Sequence, residues 1–256
     1  MRSLIDIGYT WPWTHGHLIV VVLAAAALWL AVRRRWHVSA AIVIGAVLAW
    51  AVAAFLVVQL VFRFNDVHAL PTAAFLPSGA GHVLDLGAGS GRSSIMVLRE
   101  RPRATLVALD NFSADYIRGH APQKTEANLR AAGVDRRAVV QAGDMRQLPF
   151  PDASFDAALS AYAVDHLDRE GVTRTLAEAA RVLKPRGQIL VQVMYPDAWM
   201  RFAYGPLMMH GARAEQMEPR WRSFLERAGF DVVETGKAPA SLHLLGVKRA
   251  TPGRVN

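Results

Sequence analysis

Ten residues, 83–92 (VLDLGAGSGR), constrain the fold of this chain more than any other stretch. Residues 83–86 suit a buried strand and run directly into glycines at positions 87, 89 and 91. A strand that passes through a bare loop into a helical stretch opens an α/β unit. Glycine lets a backbone approach a ligand with no Cβ in the way. The spacing excludes two common phosphate-binding loops. A dinucleotide loop reads G-x-G-x-x-G, but Arg92 stands three residues after Gly89, and the Gly-Lys-Ser/Thr of a P-loop is absent.

From His82 onward β-type runs alternate with helical stretches. Strands are expected over 83–86, 105–109, 138–141, 155–160, 188–194, 231–234 and 242–247, and helices over 92–101, 121–132, 172–183 and 215–228. This alternation predicts a Rossmann-like α/β fold, with a mostly parallel seven-stranded sheet covered by helices on both faces. The last two strands have no helix between them and are expected to form an antiparallel pair at the edge. A short helix is expected over 67–75, ahead of the first strand.

The first 64 residues have a different character. Residues 18–32 are an unbroken apolar run of 15, and residues 38–62 form a run of 25 interrupted only by Ser39, Gly45 and Gln59. Crossing a bilayer takes about 20 apolar residues. The second run meets that length, and the first does if it starts near Trp11, with Trp11 and Trp13 at the interface. Only residues 33–37 separate the runs. The expectation is therefore a membrane hairpin over 1–64, with helices at about 11–32 and 38–62, followed by an α/β domain over 65–256.

Hydrophobic residues make up 52% of the chain and mean hydropathy is +0.18, an excess concentrated in these two runs. The absence of cysteine excludes disulfides, thiol nucleophiles and Cys-based metal sites, and no metal is expected. Net charge is +8, but residues 65–256 hold 24 basic and 20 acidic groups, a net of +4, with no long basic block. That pattern suits an anionic membrane surface better than nucleic acid.

Ligands of open α/β sheets bind outside the carboxyl ends of the strands, and two further strand ends are acidic. Asp110 follows the second strand, where a carboxylate can accept from both hydroxyls of a ribose. Asp144 follows the third, where it can accept from an exocyclic amine such as that of adenine, with Met145 offering an apolar face to the ring. VLDLGAGSGR, LVALD, GDMRQLPFPDASFDAAL and RVLKPRGQILV, taken together, resemble the successive motifs of class I S-adenosylmethionine-dependent methyltransferases. The resemblance covers about residues 80–249. It implies that Asp85, Gly87, Ala88, Gly89 and Gly91 surround the methionine part of S-adenosylmethionine. It also implies that Asp110 binds the ribose with Asn111 beside the adenine, that Asp144 and Met145 meet the adenine, and that Ala161, with Ser160 and Tyr162, faces cofactor and acceptor.

Methyl transfer needs a base only when the acceptor is protonated at rest. Asp165 and His166 are the candidates: His166 titrates in a suitable range and Asp165 can raise it, while both also suit the turn and cap of the next helix. The short connection before the first strand, and the aromatic and Met-rich segment 194–210, point to a lipophilic or membrane-associated acceptor. A soluble small-molecule acceptor, or an inactive cofactor-binding module that recruits partners to the membrane, are the alternatives. The domain is expected on the cytoplasmic side, where the cofactor is made. Two full spans then put Arg33, Arg34 and Arg35 across the membrane, against the positive-inside bias. Oligomeric state is not legible.

Overall fold

The computed structural model describes residues 5–114, 117–205 and 213–250. The strands form where the alternation places them: β1 (Ala80–Leu86), β2 (Arg103–Asp110), β3 (Ala138–Ala142), β4 (Phe155–Ala161), β5 (Leu183–Met194), β6 (Phe230–Ala238) and β7 (Ser241–Lys248). One sheet holds all seven in the order β3-β2-β1-β4-β5-β7-β6. Helices α4 (Arg92–Glu100) and α5 (Pro122–Ala131) cover one face, and α6 (Arg169–Val182) and α8 (Ala214–Arg227) cover the other. β1 and β4 bury side chains toward both faces, which explains their continuous apolar runs.

The expected antiparallel pair of the last two strands forms at one edge of the sheet. β7 runs antiparallel to both neighbours but lies inside the sheet, between β5 and β6, and β6 is the edge. The side chains explain the placement. The first six residues of β7 are all buried, whereas β6 exposes Asp231, Val233, Lys237 and Ala238. An apolar strand takes the slot that is covered on both sides, and the polar one takes the edge.

The expected helix over 67–75 does not form. The connection from Asn65 to Gly79 is irregular, yet Phe75 is fully buried. Its carbonyls find a side-chain partner instead of a helical one. The buried Arg101 donates from Nε to the Phe75 carbonyl (2.7 Å) and from Nη2 to the Ala73 carbonyl (3.0 Å). Pro71 has no N–H to bond the Val67 carbonyl and disfavours helical backbone at Leu70, so a helix over 67–75 would lose a bond in its interior.

At the N-terminus, α1 (Trp11–His15) and α2 (His17–Arg33) lead away from the sheet. α3 (Val38–Val57) returns antiparallel to α2 and continues as a π turn over Val58–Phe62. Val38–Phe62 is a helical span of 25 residues, long and apolar enough to cross a membrane, while His17–Arg33 falls short of that length on its own. At 17 residues α2 is about 26 Å long, against a hydrocarbon core of about 30 Å. Both helices present apolar side chains outward: Val22, Leu23, Trp29, Val38, Ile42 and Leu60 are 60–74% exposed.

The foot of this hairpin is joined to the sheet by hydrogen bonds that close helix ends. α7 (Ala198–Tyr204) leaves carbonyls at its C-terminus without helical partners. The Trp50 indole N–H donates to the Phe202 carbonyl (2.9 Å), and His17 Nε2 lies 2.8 Å from the Ala203 carbonyl. Tyr204 donates back to the Trp13 carbonyl (2.5 Å). Gln59, the one amide in the long apolar run, donates to the Thr14 carbonyl (2.6 Å), so its polarity is satisfied within the hairpin. The division at residue 64 does not separate the two parts cleanly in space. Ahead of the hairpin, Asp6 exchanges two hydrogen bonds with Asn128 on α5 and pairs with Lys124, so residues 5–9 lie against the α/β domain.

The Arg101 fastening yields a stability expectation. Arg101→Ala should destabilise the protein by about 2–4 kcal/mol, because buried carbonyls lose a charged donor. Arg99→Ala, exposed two residues earlier, should change stability by less than about 0.5 kcal/mol. Thermal melts of both variants beside the parent check this; equal melting points would refute the role of Arg101.

Candidate active site

Strand order reverses at β1, whose neighbours are β2 on one side and β4 on the other, and a cleft opens above their carboxyl ends. Its main chamber is about 280 Å³, and a second chamber of about 110 Å³ shares Gly87, Asp110, Asn111 and Met145 with it. The loop after β1 forms the floor. Gly87 has φ +79°, and a Cβ there would sit 2.3 Å from the Cβ of Ala163. Gly89 has φ +56°, and a Cβ at that position would lie 3.3 Å from Ile117 Cδ1. The Asp110 carboxylate fixes this loop, accepting from the N–H of Gly89 (2.8 Å) and from the N–H of Phe112 (2.6 Å). His120 Nε2 lies 3.4 Å from the same carboxylate.

Of the residues expected at the site, Gly87, Ala88, Gly89, Asp110, Asn111, Met145, Ala161 and His166 line the main chamber. Asp144 lines only the second, where Arg146 grips both its oxygens and lowers its pKa. Asp144 is thus already held by a guanidinium, rather than waiting uncommitted for an amine.

Three expected residues lie elsewhere. Asp85 is fully buried beneath the loop and accepts from the hydroxyls of Ser93 (2.7 Å) and Ser94 (2.6 Å), so it fastens β1 to α4 and does not reach the cleft wall. Burial pushes its carboxyl up to about 6, against the lowering effect of the two hydroxyls. Gly91 begins α4 with φ +88° and faces Thr125 of α5, behind the cleft. Asp165 turns away toward β5, where it accepts from the Met194 N–H (3.0 Å). Its contribution is to hold the turn that carries His166.

Several cleft residues were not anticipated. Ile7 and Tyr9 reach over the opening from the segment before the hairpin, and Tyr9 bridges to Ile117. The signal was present but short: Ile5, Ile7 and Tyr9 alternate with Asp6 and Gly8, a strand-like pattern of five residues. Arg92 lies between two rings, 5.5 Å from Tyr9 and 5.1 Å from Tyr162, and donates to the Phe64 carbonyl. Tyr162 has a left-handed backbone (φ 56°), and its hydroxyl accepts from Gln192 at 2.9 Å. Burial raises the pKa of its phenol, while Ser241 and Arg92 act in the opposite direction. The described part of the segment 194–210 does not line the cleft. Its described part forms α7 and packs on the hairpin, with Trp199 and Phe202 48% and 41% exposed; residues 206–210 lie outside the described residues.

Residues 83–187 match the family described as a methyltransferase domain. The chain is similar to the ubiquinone/menaquinone biosynthesis C-methyltransferase UbiE of Desulfotalea psychrophila, with 32% identity over 139 residues, 51% of this chain and 52% of that protein. It is also similar to the 27-O-demethylrifamycin SV methyltransferase of Amycolatopsis mediterranei, with 36% identity over 46% of this chain and 40% of that protein. The chain spans about half the length of the curated relatives it matches, or less. Among solved structures, the 1,6-didemethyltoxoflavin-N1-methyltransferase of Burkholderia thailandensis, which holds S-adenosylhomocysteine, shares the fold. Its TM-score is 0.50 at 21% identity, over 70% of this chain and 80% of that one.

The matched segment has the character of a methyltransferase domain, and S-adenosylmethionine, the cofactor expected from the motifs, is the molecule to fit to its cleft. The cleft fits that molecule: a bare, positively twisted loop leaves room at Gly87 and Gly89, and an acidic strand end stands beside it at Asp110.

Two expectations follow. Gly87→Ala should weaken S-adenosylmethionine binding by more than about tenfold, since both φ and the Ala163 contact oppose a Cβ. Gly133→Ala, at φ +70° with open space around it, should leave affinity unchanged; calorimetric titration compares them. Asp85 gives a pH signature. In the folded protein it stays protonated up to about pH 6, whereas the unfolded chain ionises it near about pH 4. The folded state therefore loses stability as pH rises through that window and carries the full cost, about 3 kcal/mol, above it. Asp85→Asn should gain melting temperature over the parent from pH 4 to 6 and hold that gain to pH 8. A constant difference across the range would refute it.

Proposed function

We propose that this chain is a membrane-anchored S-adenosylmethionine-dependent methyltransferase. In this reading its catalytic domain lies on the cytoplasmic side and its methyl acceptor is lipophilic or membrane-associated. The observation that carries the proposal is a wall shared by the cleft and the hairpin. Tyr9 lines the cleft, and its ring lies 5.6 Å from Phe64, two residues past the end of the long apolar helix. Phe64 in turn joins Phe62 and Tyr204 in the aromatic cluster at the hairpin foot. An acceptor with an apolar tail lying along the outward face of the hairpin is thereby held next to the cleft. The quinone-biosynthesis methyltransferases among the relatives support an acceptor of this kind.

In this reading Gly87, Ala88 and Gly89 hold the methionine part of the cofactor, Asp110 the ribose, and Asn111 and Met145 the adenine. When bound, S-adenosylmethionine supplies a methyl group on a sulfonium whose leaving group is a neutral thioether, so no general acid is required. The chain's own contribution is alignment of donor and acceptor. Ala161, Tyr162 and His166 form the wall that the acceptor meets. His166 takes a proton from an acceptor that is protonated at rest, and Asp165 keeps its turn in place.

The hairpin puts Arg33–Arg35 at the end farthest from the sheet, and the Arg33 guanidinium stacks over Trp29 at 5.1 Å, an arrangement suited to a membrane interface. With the domain cytoplasmic, this end lies across the bilayer. The charge bias of short loops is overridden by the rest of the chain in such cases.

One experiment tests acceptor and side together. Inverted and right-side-out membrane vesicles carrying the full chain are given methyl-labelled cofactor from outside. Label should enter the organic extract of inverted vesicles only. Label confined to water-soluble products would overturn the lipophilic acceptor, and labelling of right-side-out vesicles would overturn the cytoplasmic placement.

A further inference from the structure

Arg92 is the first residue of α4 and lines the main chamber of the cleft. It does not line the second chamber, where Asp144 and Met145 stand. Its guanidinium lies between two rings, 5.5 Å from that of Tyr9 and 5.1 Å from that of Tyr162, and its Nη1 donates to the Phe64 carbonyl (3.2 Å). These three neighbours come from the segment before the hairpin, from the end of β4 and from the chain just after the hairpin. None belongs to the glycine loop or to the acidic end of β2.

Arg92 is half-buried and has no carboxylate partner among the described residues. The carboxylates around it are engaged elsewhere. Asp66 pairs with Arg63, and Asp85 accepts from Ser93 and Ser94 beneath the loop. Other arginines drawn into the structure are fully used. Arg137 donates to the carbonyls of Leu98, Arg101 and Ala104, and Arg181 grips Glu178 and Asp152. A charge taken partly out of water is ordinarily paired or hydrogen-bonded. Arg92 spends one donor on Phe64 and has the rest of its fork to spare. Stacking on aromatic faces orders a guanidinium while leaving its N–H groups free for an anion.

We propose that Arg92 seats an ionised oxygen group of the methyl acceptor, which makes the acceptor a lipophilic acid: an apolar molecule carrying a carboxylate or phenolate. The proposal rests on the reading of this cleft as the site of a lipophilic acceptor. On that reading the acceptor passes Tyr9 and Phe64 from the hairpin and meets Tyr162 and His166, and Arg92 stands on this path between Tyr9 and Tyr162. Little in the described lining opposes an anion there. Asp110 already accepts from the Gly89 and Phe112 amides, and Asp165 turns toward β5. A guanidinium offers a carboxylate two parallel N–H donors, and the same fork serves a phenolate oxygen. The apolar tail then stays against the hairpin while the charged head fixes how far the acceptor enters the cleft.

The test uses the full chain in neutral-detergent micelles, saturated with S-adenosylhomocysteine. Calorimetric titration compares para-dodecylbenzoate with para-dodecylbenzamide at about pH 8, where the acid is ionised, with protein-free micelles as the blank. The parent should bind the acid at least about tenfold more tightly than the amide. Arg92→Gln should erase that preference while its affinity for S-adenosylhomocysteine stays within about twofold of the parent's. Arg92→Lys, which keeps the charge, should keep a preference for the acid. Equal affinity of the parent for acid and amide overturns the anion seat and leaves the lipophilic acceptor standing. Binding of neither probe by protein that holds S-adenosylhomocysteine overturns both. A loss of about tenfold or more in the affinity of Arg92→Gln for S-adenosylhomocysteine assigns the guanidinium to the cofactor's own carboxylate and overturns its role toward the acceptor.

Discussion

Strand order reverses at β1, and the rest of the structure is arranged around that reversal. Chains leaving β1 and β4 at their carboxyl ends diverge in opposite directions, so no crossover helix can close the gap between them. The gap needs a floor that approaches closely without side chains, which Gly87 and Gly89 provide. It also needs something to hold that floor still. The Asp110 carboxylate does so by binding the Gly89 and Phe112 amides, so the acidic end of β2 is a structural clamp as well as a wall of the cleft.

Closing such a cleft from above requires chain from elsewhere, and here it comes from the segment that leads into the apolar hairpin. Ile7 and Tyr9 complete the opening, and Asp6 is fastened to α5 through Asn128 and Lys124. The hairpin foot is fastened in turn by side chains that satisfy the last carbonyls of α7. Backbone groups left unpaired at a helix end are costly to bury, so these contacts make the junction a defined packing rather than a loose tether. Displacing the hairpin foot would disturb Phe64, Tyr9 and Arg92 together, and so reach the cleft.

Much of the fold was legible in residue order. The strands and the helices α4, α5, α6 and α8 were visible as runs of the right period, and the glycine loop announced a ligand. Two failures are instructive. Residues 67–75 were expected as a helix because the connection ahead of the first strand has room for a short one, but Arg101, 26 residues away from Phe75 in the chain, supplies the donors to its carbonyls that a helix would otherwise provide. Asp165 read as part of the chemistry because it adjoins His166, yet neighbours in sequence at a tight turn point in opposite directions, and only His166 faces the cleft.

The sequence by itself determined the class of fold, the bare glycine loop that floors the cleft and the presence of a long apolar hairpin, because each is written in local periodicity or in a few adjacent residues. Tertiary structure decided what depends on residues far apart in the chain. It placed β7 inside the sheet, since only burial on both faces separates it from β6. It drew Asp85 and Gly91 out of the cleft and brought Tyr9 and Arg92 to it.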